Sequence, residues 1–224
     1  MKSRFIVIDG TDGSGKGTQT NLLIKRLKKE GYDVEEADFP RYGERSAVLV
    51  EEYLNGKFGK AKDVTAKQAS IFYACDRFAA APTIRKWLAD GKIVISNRYV
   101  SANMGHQTGK IKDQKERDEF LEWLDELEHG IFNIPRPDVC LLLYVPPKVG
   151  QTLVDSKGHR DYIGKDGRDV HEADINHLED AAGAFKYVAE KYGWPVINCT
   201  KDDMLMSIED IHKIIWDKVK GMIE

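Results

Sequence analysis

The chain has 224 residues, 42% of them hydrophobic, and a formal net charge of −3 at pH 7. The length suits one large α/β domain over 1–224, and the composition allows a sizeable core. The slightly negative charge excludes a global footprint for nucleic-acid binding, and no apolar run is long enough to predict a membrane span.

The N-terminal apolar run and the cysteines indicate the compartment. Asp9 cuts the apolar run short, so no signal peptide is predicted. Cys75, Cys140 and Cys199 lie far apart and form no C-x-x-C pair, which argues against a structural metal site. We therefore expect a reduced, cytoplasmic protein.

The first predicted elements are a strand from Arg4 to Asp9, a glycine-rich turn, and a helix from about Gly15 to Glu30. Their junction has the G-x-x-x-x-G-K spacing of a phosphate-binding P-loop. Glycines let backbone N–H groups surround an anion, and the helix N-terminus adds partial positive charge. We predict that a nucleotide's phosphates bind to Gly10, Asp12, Gly13, Ser14, Gly15, Lys16, Gly17 and Thr18.

A second strand is predicted from Asp33 to Phe39, where Pro40 ends it. The aromatic and basic loop that follows contains Arg41. Ligands of open parallel sheets bind beyond the carboxyl ends of the strands. This loop is therefore a candidate binding segment.

The next predicted helices are 46–54 and a long one that a Thr65–Gln68 capping box opens and that runs to about Ala89. Tyr73 and Arg77 lie four residues apart, so they share a face of the long helix. An arginine beside aromatic side chains on a buried face suggests recognition of a planar anion or base. An ordinary surface pair is the alternative.

A third strand, Lys92 to Ser96, has the continuous apolar character of a buried parallel strand. It ends in Asn97-Arg98-Tyr99. The following stretch, Val100 to Gly109, contributes the polar residues Ser101, Asn103, His106 and Gln107. All of them are expected in the same crevice as the P-loop.

The second half of the chain continues the alternation of helices and strands. Its predicted elements are a helix from Gln114 to Glu128, a strand from Val139 to Val145, a helix to Ser156, a helix from His171 to Tyr192, a strand from Pro195 to Cys199, a loop from Thr200 to Asp203 and a last helix after Ser207. The charged, glycine-bearing segment at about 157–170 is predicted to be a mobile lid. The fold class is thus α/β and P-loop NTPase-like, with a five-stranded parallel sheet flanked by helices.

A P-loop, a basic lid and arginines at other strand ends favour phosphoryl transfer between two bound phosphate esters. The transferring group spreads charge over three oxygens, so catalysis needs positioning and fixed positive charge. Mg2+, Lys16, Arg98 and a lid arginine are the candidate sources of that charge. A GTPase switch is less favoured, because no strand ends in Asp-x-x-Gly and no Asn-Lys-x-Asp-like base reader is present.

Five motifs in this order resemble the thymidylate kinases over nearly the whole chain. They are Asp9-Gly10-xx-Gly13-x-Gly15-Lys16-x-Thr18-Gln19, Phe39-Pro40-Arg41-Tyr42, Asp76-Arg77, Asn97-Arg98-Tyr99 and Pro135-Arg136-Pro137-Asp138. The resemblance implies transfer of the ATP γ-phosphate to dTMP with Mg2+, giving dTDP and ADP on the way to dTTP. It also implies a homodimer packed through helices, with no nucleic-acid or membrane partner.

The same resemblance implies roles for individual residues. Asp12 would receive the 3′-hydroxyl of the acceptor, and Arg41 and Arg98 would surround its phosphate. Tyr73 would stack on thymine. The remaining members of the implied substrate site are Phe39, Pro40, Arg77, Asn103 and His106, of which Arg77 and Asn103 would reach the polar edge of thymine.

The P-loop of this chain has no basic residue between Gly10 and Gly15. Some members of the family place their catalytic basic residue in this loop and others place it in the lid. The resemblance therefore implies that Arg160 or Arg168 of the lid is catalytic, together with Lys16, and we favour Arg160.

Three departures from the family pattern leave alternatives open. Asn97 replaces the usual aspartate that helps to organise Mg2+ and water, so Asn97 and Thr18 are weak metal candidates. His106 stands where an aromatic residue commonly crowds the 2′ position of the sugar. Gly17 removes the first loop hydroxyl. The rival hypotheses are a kinase for dUMP or another nucleoside monophosphate, and a catalytically silent nucleotide-binding protein.

Overall fold

The computed structural model describes residues 3–150, 175–202 and 204–223. Its strands are β1 Arg4–Gly10, β2 Val34–Asp38, β3 Ile93–Asn97, β4 Val139–Tyr144 and β5 Val196–Asn198. They form one sheet in the order β2-β3-β1-β4-β5, and every pairing is parallel. The prediction of a five-stranded parallel sheet is confirmed.

Helices cover both faces of this sheet. They are α1 Lys16–Lys29, α2 Val48–Leu54, α3 Ala66–Ala89, α4 Val100–Thr108, α5 Gln114–Asp125, α6 Ile175–Tyr192 and α7 Ile208–Ile223. Within the described ranges, no helix is both long and apolar enough to cross a membrane. The predicted lid, with Arg160 and Arg168, lies outside the described residues.

The central strand β1 divides its side chains between two cores, because successive residues of a strand point to opposite faces. Phe5 and Val7 pack in the core under α3, α4 and α5. Ile6 and Ile8 pack in the core under α1 and α7. All four side chains are at most 1% exposed, which explains why this strand is apolar without alternation.

Local signals set two of the helix boundaries. The hydroxyl of Thr65 accepts from the backbone N–H of Gln68, whose side chain reaches back to the backbone N–H of Thr65, so the capping box is confirmed. Gly31, at φ 90°, ends α1, and the N–H groups of residues 31 and 32 donate to the carbonyls of Lys28 and Leu27. This is the Schellman arrangement of a helix C-terminus.

Two regions differ from the sequence prediction. The helix expected to reach Glu128 is α-helical only to Asp125, and Glu126–Ile131 is a π-helix. The wider turn accompanies the burial of the Glu128 carboxylate, which pairs with an arginine of α3. In addition, a short antiparallel hairpin, β6 Thr200–Lys201 with β7 Met204–Leu205, begins where a loop from Thr200 to Asp203 was predicted.

Candidate active site

The loop between β1 and α1 approaches neighbouring backbone too closely for side chains at two glycines. A Cβ on Gly10 would lie 2.0 Å from the carbonyl oxygen of Leu143, and one on Gly13 would lie 2.3 Å from that of Gly150. Gly13 also has φ 78°, which favours glycine. The loop is therefore held close to the end of β4 and to the segment that follows it.

Side-chain hydrogen bonds fix the same loop from within. The Lys16 ammonium donates to the carbonyls of Gly10 (3.0 Å) and Thr11 (2.9 Å). The Thr11 hydroxyl donates to the carbonyl of Val145 and accepts from the N–H of the same residue, both at 3.0 Å. The Lys16 charge is thus placed at the loop and is only 8% exposed.

Asp9, which sequence reasoning did not assign to the site, anchors the start of the loop. Its side chain is fully buried. One carboxylate oxygen accepts from the N–H of Gly10 at 2.8 Å, and the other accepts from the Ser101 hydroxyl at 2.6 Å. The connection spans 92 positions of sequence, so no local pattern marks it.

Asp12, Arg98 and His106 form a charged cluster beside the loop. The Arg98 guanidinium donates to the Asp12 carboxylate at 2.9 Å and lies 3.0 Å from Nε2 of His106. Asp12 is also 3.8 Å from the Lys16 ammonium. Burial alone would raise the pKa of Asp12, but its electrostatic interactions with His106, Arg98 and Lys16 outweigh burial and hold that pKa far below its usual range.

The conformation of Arg98 aims its side chain into this cluster. Its φ is 62°, a left-handed value that is uncommon for a residue with a side chain. Burial alone would lower the pKa of Arg98, but the nearby carboxylates of Asp12 and Asp9 outweigh burial and raise that pKa above its ordinary value. Arg98 therefore keeps its positive charge at any physiological pH.

Arg41 lies at the end of β2 and is held by α3. Its Nε and its backbone N–H donate to the two carboxylate oxygens of the buried Asp76 at 2.9 and 2.8 Å, and its Nη2 donates to the Ser46 hydroxyl at 2.8 Å. The preceding Phe39–Pro40 peptide is cis. Asp76 thus positions the arginine that sequence reasoning assigned to the acceptor phosphate.

Arg77 points into the protein, and its partner Glu128 was missed by sequence reasoning. The two side chains form a buried ion pair in which Nε of Arg77 lies 3.1 and 3.0 Å from the two carboxylate oxygens. Nη1 of Arg77 donates to the carbonyl of Tyr99 at 3.3 Å. Burial alone would lower the pKa of Arg77, but the charge of Glu128 raises it.

A buried polar patch lies on α4 where sequence reasoning placed the base-recognising residues. The Asn103 amide donates to the carbonyl of Ser70 at 3.1 Å and is 2% exposed. The Ser70 hydroxyl oxygen and the carbonyl oxygen of the Gln107 amide are buried without a hydrogen-bond partner among the described residues. Such groups are normally satisfied, so they indicate a place for a polar ligand or water.

Three other predicted substrate residues make contacts with aromatic side chains. Tyr73 is half-buried and makes an edge contact with Tyr53, with ring centroids 6.5 Å apart. Phe39 packs against Tyr99 with centroids 5.6 Å apart. His106 packs edge-on against Phe185 of α6 at 5.2 Å.

The two weak metal candidates differ in their surroundings. Thr18 is exposed on the first turn of α1. Asn97, at the end of β3, donates through its amide to the carboxylate of Asp38 at 2.8 Å. Its carbonyl oxygen is buried and has no hydrogen-bond partner in the described part of the chain. No three His, Cys, Asp or Glu side chains of that part converge to hold a metal ion on their own.

The described structure therefore brings Asp12, Lys16, Arg98 and His106 into one cluster at the carboxyl edge of the sheet. Arg41 and Arg77 are each fixed by an acidic partner. A preformed anion-binding loop beside a second cationic cluster suits two phosphate esters that meet end to end.

Comparison with known proteins agrees with this arrangement. Residues 8–189 match the family model described as thymidylate kinase. A thymidylate kinase of Mycobacterium tuberculosis (strain H37Rv) is 29% identical over 191 residues, covering 85% of this chain and 87% of that protein. A probable thymidylate kinase of Thermococcus onnurineus is 31% identical over 218 residues, covering 94% of both. The solved thymidylate kinase of Candida albicans shares the fold, with a TM-score of 0.75 at 19% identity over 99% of this chain and 92% of that one.

Proposed function

This chain belongs to the thymidylate kinase family, and we propose that it transfers the γ-phosphate of ATP to dTMP, giving dTDP and ADP. The family match extends over 8–189. The observation that carries the proposal is the Asp12–Arg98–His106 cluster, which includes Asp12 of the phosphate-binding loop and lies 3.8 Å from the Lys16 ammonium.

On the donor side, the loop backbone receives the phosphates of ATP and Lys16 adds its charge at their outer end. The residues present also suit Mg2+, because this ion binds mainly through phosphate oxygens and water and needs few protein ligands. Two groups would serve it: the carbonyl oxygen of Asn97, which has no hydrogen-bond partner within the described ranges, and the hydroxyl of the exposed Thr18. When bound, the ion neutralises charge that develops on the phosphates.

On the acceptor side, Arg98 and Arg41 bind the phosphate of dTMP, and Asp12 receives the 3′-hydroxyl. Asp76 and Asp12 hold the two guanidinium groups in place before substrate arrives. This preorganisation reduces the entropy lost on binding. It also places positive charge at the transferring group without any rearrangement during the reaction.

Thymine is bound by Tyr73 and by the polar patch of α4. Asn103 is fixed by Ser70, while neighbouring buried oxygens have no partner among the described residues. A base that satisfies these groups is favoured, because a wrong base leaves them unpaired. Arg77 supports this site from the protein interior, since its charge is already paired with the carboxylate of Glu128.

The chain acts as a single domain, 1–224, with a lid at about 157–170. We assign the missing catalytic charge to Arg160, and a supporting phosphate contact to Arg168. Arg160→Ala is expected to reduce kcat by about 10³-fold, as for other arginines on a transferring phosphoryl group, and Arg168→Ala by less. Equal and small effects on kcat would contradict this assignment.

A homodimer is supported by an apolar surface on and near α2 and α3. Its large apolar side chains are between 37% and 51% exposed: Val48, Leu49, Phe58, Ile71 and Phe78. Ile71 and Phe78 are seven residues apart and therefore share one face of α3. A cytoplasmic location agrees with free cysteines at all three positions.

The proposed function is tested by measuring kcat/KM for dTMP, dUMP, UMP and AMP in an assay coupled to ADP release. We expect dTMP to exceed dUMP by about tenfold or more, since one methyl group is worth about 1–3 kcal/mol. Lys16→Ala should lose at least about 10²-fold in kcat, while the exposed control Lys25→Ala should not. Equal kcat/KM for dTMP and UMP or AMP would contradict the proposal.

A further inference from the structure

Two polar side chains meet where β2 and β3 end. Asp38 and Asn97 are direct cross-strand partners in the parallel register. The Asn97 amide donates to one carboxylate oxygen of Asp38 at 2.8 Å. The amide is thereby oriented, and its carbonyl oxygen is buried and without a partner among the described residues.

The pair lies on the face of the sheet that α1 covers. Asn97 follows Ile95 by two residues, so both point to one face, and Ile95 packs in the same core as Leu23 and Leu27 of α1. Asn97 is also level with Ile8 of β1, two residues before the P-loop begins at Gly10. The pair is thus at the carboxyl edge of the sheet, on the face that α1 covers, and Asn97 lies on the strand next to the one that leads into the P-loop.

Electrostatic repulsion explains why only one residue of the pair is an acid. With aspartate at both positions, two carboxylates would face each other at hydrogen-bond distance. Two like charges this close repel each other, which disfavours the ionised form of both groups. An amide at one position replaces this repulsion by a charge-assisted hydrogen bond. The pair therefore accommodates one negative charge, and here Asp38 has it.

We propose that Asp38 is a positioning residue of the phosphoryl-transfer site and takes over the charge of the aspartate that Asn97 replaces. The proposal rests on the proposed function and concerns the hydrated Mg2+ of the ATP complex. Asp38 would attract this cation, and Asn97 would orient the Asp38 carboxylate through its amide N–H. The carbonyl oxygen of Asn97, which has no partner among the described residues, would be available to the hydrated ion. From the sequence alone, Asn97 indicated that the site lacks a negative charge. In the structure, the carboxylate of Asp38 on the neighbouring strand lies beside Asn97 and supplies one.

The test compares Asp38→Asn, Asn97→Asp and the double swap Asp38→Asn/Asn97→Asp. The matched control is Glu36→Gln, which removes an acid two residues earlier on the same face of β2. Affinity for Mn2+ in the presence of ATP is measured by electron paramagnetic resonance. The Mg2+ concentration that gives half the maximal rate with dTMP is measured in parallel.

We expect Asp38→Asn to weaken Mn2+ binding about tenfold or more, as groups that orient a metal's ligands do. ATP affinity without metal should not change. The double swap should recover most of the loss, since it restores one acid and one amide. Asp38 is exposed at an edge strand, so Asp38→Asn should keep the thermal unfolding midpoint of the wild type.

Two results would overturn the inference. One is equal Mn2+ affinity and Mg2+ requirement for Asp38→Asn and Glu36→Gln. The other is a double swap that binds Mn2+ no better than Asp38→Asn. If the wild type transfers no phosphate to dTMP, the proposed function fails, and the Mn2+ measurement with ATP still decides the role of Asp38 separately.

Discussion

The buried ion pair between Arg77 and Glu128 gives the sharpest prediction about stability. Glu128→Gln keeps the size and shape of the side chain but removes its charge. Arg77 would remain protonated, because the pKa of an arginine is far above neutral, and it is only 1% exposed. The carbonyl of Tyr99 would then be its main remaining acceptor, together with the oxygen of the new amide.

The expected loss is large because a buried charge would lose its partner. Removing one member of a buried ion pair costs about 3–5 kcal/mol. Since the amide oxygen of glutamine can still accept one hydrogen bond, we expect the lower end, about 3 kcal/mol. Total stabilities of domains are about 5–15 kcal/mol, so the variant should fold but unfold at much lower urea concentration.

The assay is urea unfolding followed by far-UV circular dichroism at pH 7. The control is Glu126→Gln, an exposed acid in the same π-helix, which should change the free energy of unfolding by less than about 0.5 kcal/mol. The double variant Arg77→Met/Glu128→Leu should regain stability, because apolar replacements of a buried pair are often neutral. A Glu128→Gln variant as stable as Glu126→Gln would refute the reasoning.

Two further predictions concern one lysine and the P-loop. Burial lowers the pKa of Lys110 from its ordinary value of 10.5 to about 8. Between these two pH values the unfolded chain binds more protons than the folded chain, so the free energy of unfolding increases as the pH rises. Unfolding curves at pH 7.5 and 10 should show this gain of about 1–3 kcal/mol in the wild type but not in Lys110→Met. The same gain in both proteins would contradict the prediction. Gly13→Ala should weaken ATP binding in calorimetry, because its Cβ would meet a carbonyl oxygen at 2.3 Å. The control Gly221→Ala in α7, whose Cβ would meet nothing within 4 Å, should not change ATP affinity; equal ATP affinities of the two variants would contradict the tight approach of the loop.

Sequence patterns predicted the elements that local chemistry determines. The apolar run of β1, the glycines before Lys16 and the Thr65 capping box each fix backbone geometry within a few residues. Their order along the chain was then enough to predict a parallel sheet with the phosphate site at its carboxyl edge. The placement of Arg98 beside the P-loop followed from the same rule.

Partners distant in sequence were not predictable in this way. Glu128 pairs with Arg77 across 51 positions, and Ser101 reaches Asp9 across 92. Only the packing of α3 against the π-helix and of α4 against β1 brings them together. Asp38 is a similar case, since it becomes informative only when the register places it opposite Asn97.

The fate of the γ-phosphate tests the central claim most directly. In a single turnover with γ-³²P-labelled ATP, Mg2+ and excess dTMP, the wild type should place the label in dTDP. Lys16→Ala should leave it in ATP over the same period. Two results for the wild type would contradict transfer of the γ-phosphate to dTMP. One is release of the label as inorganic phosphate, and the other is label that stays in ATP although ATP is bound.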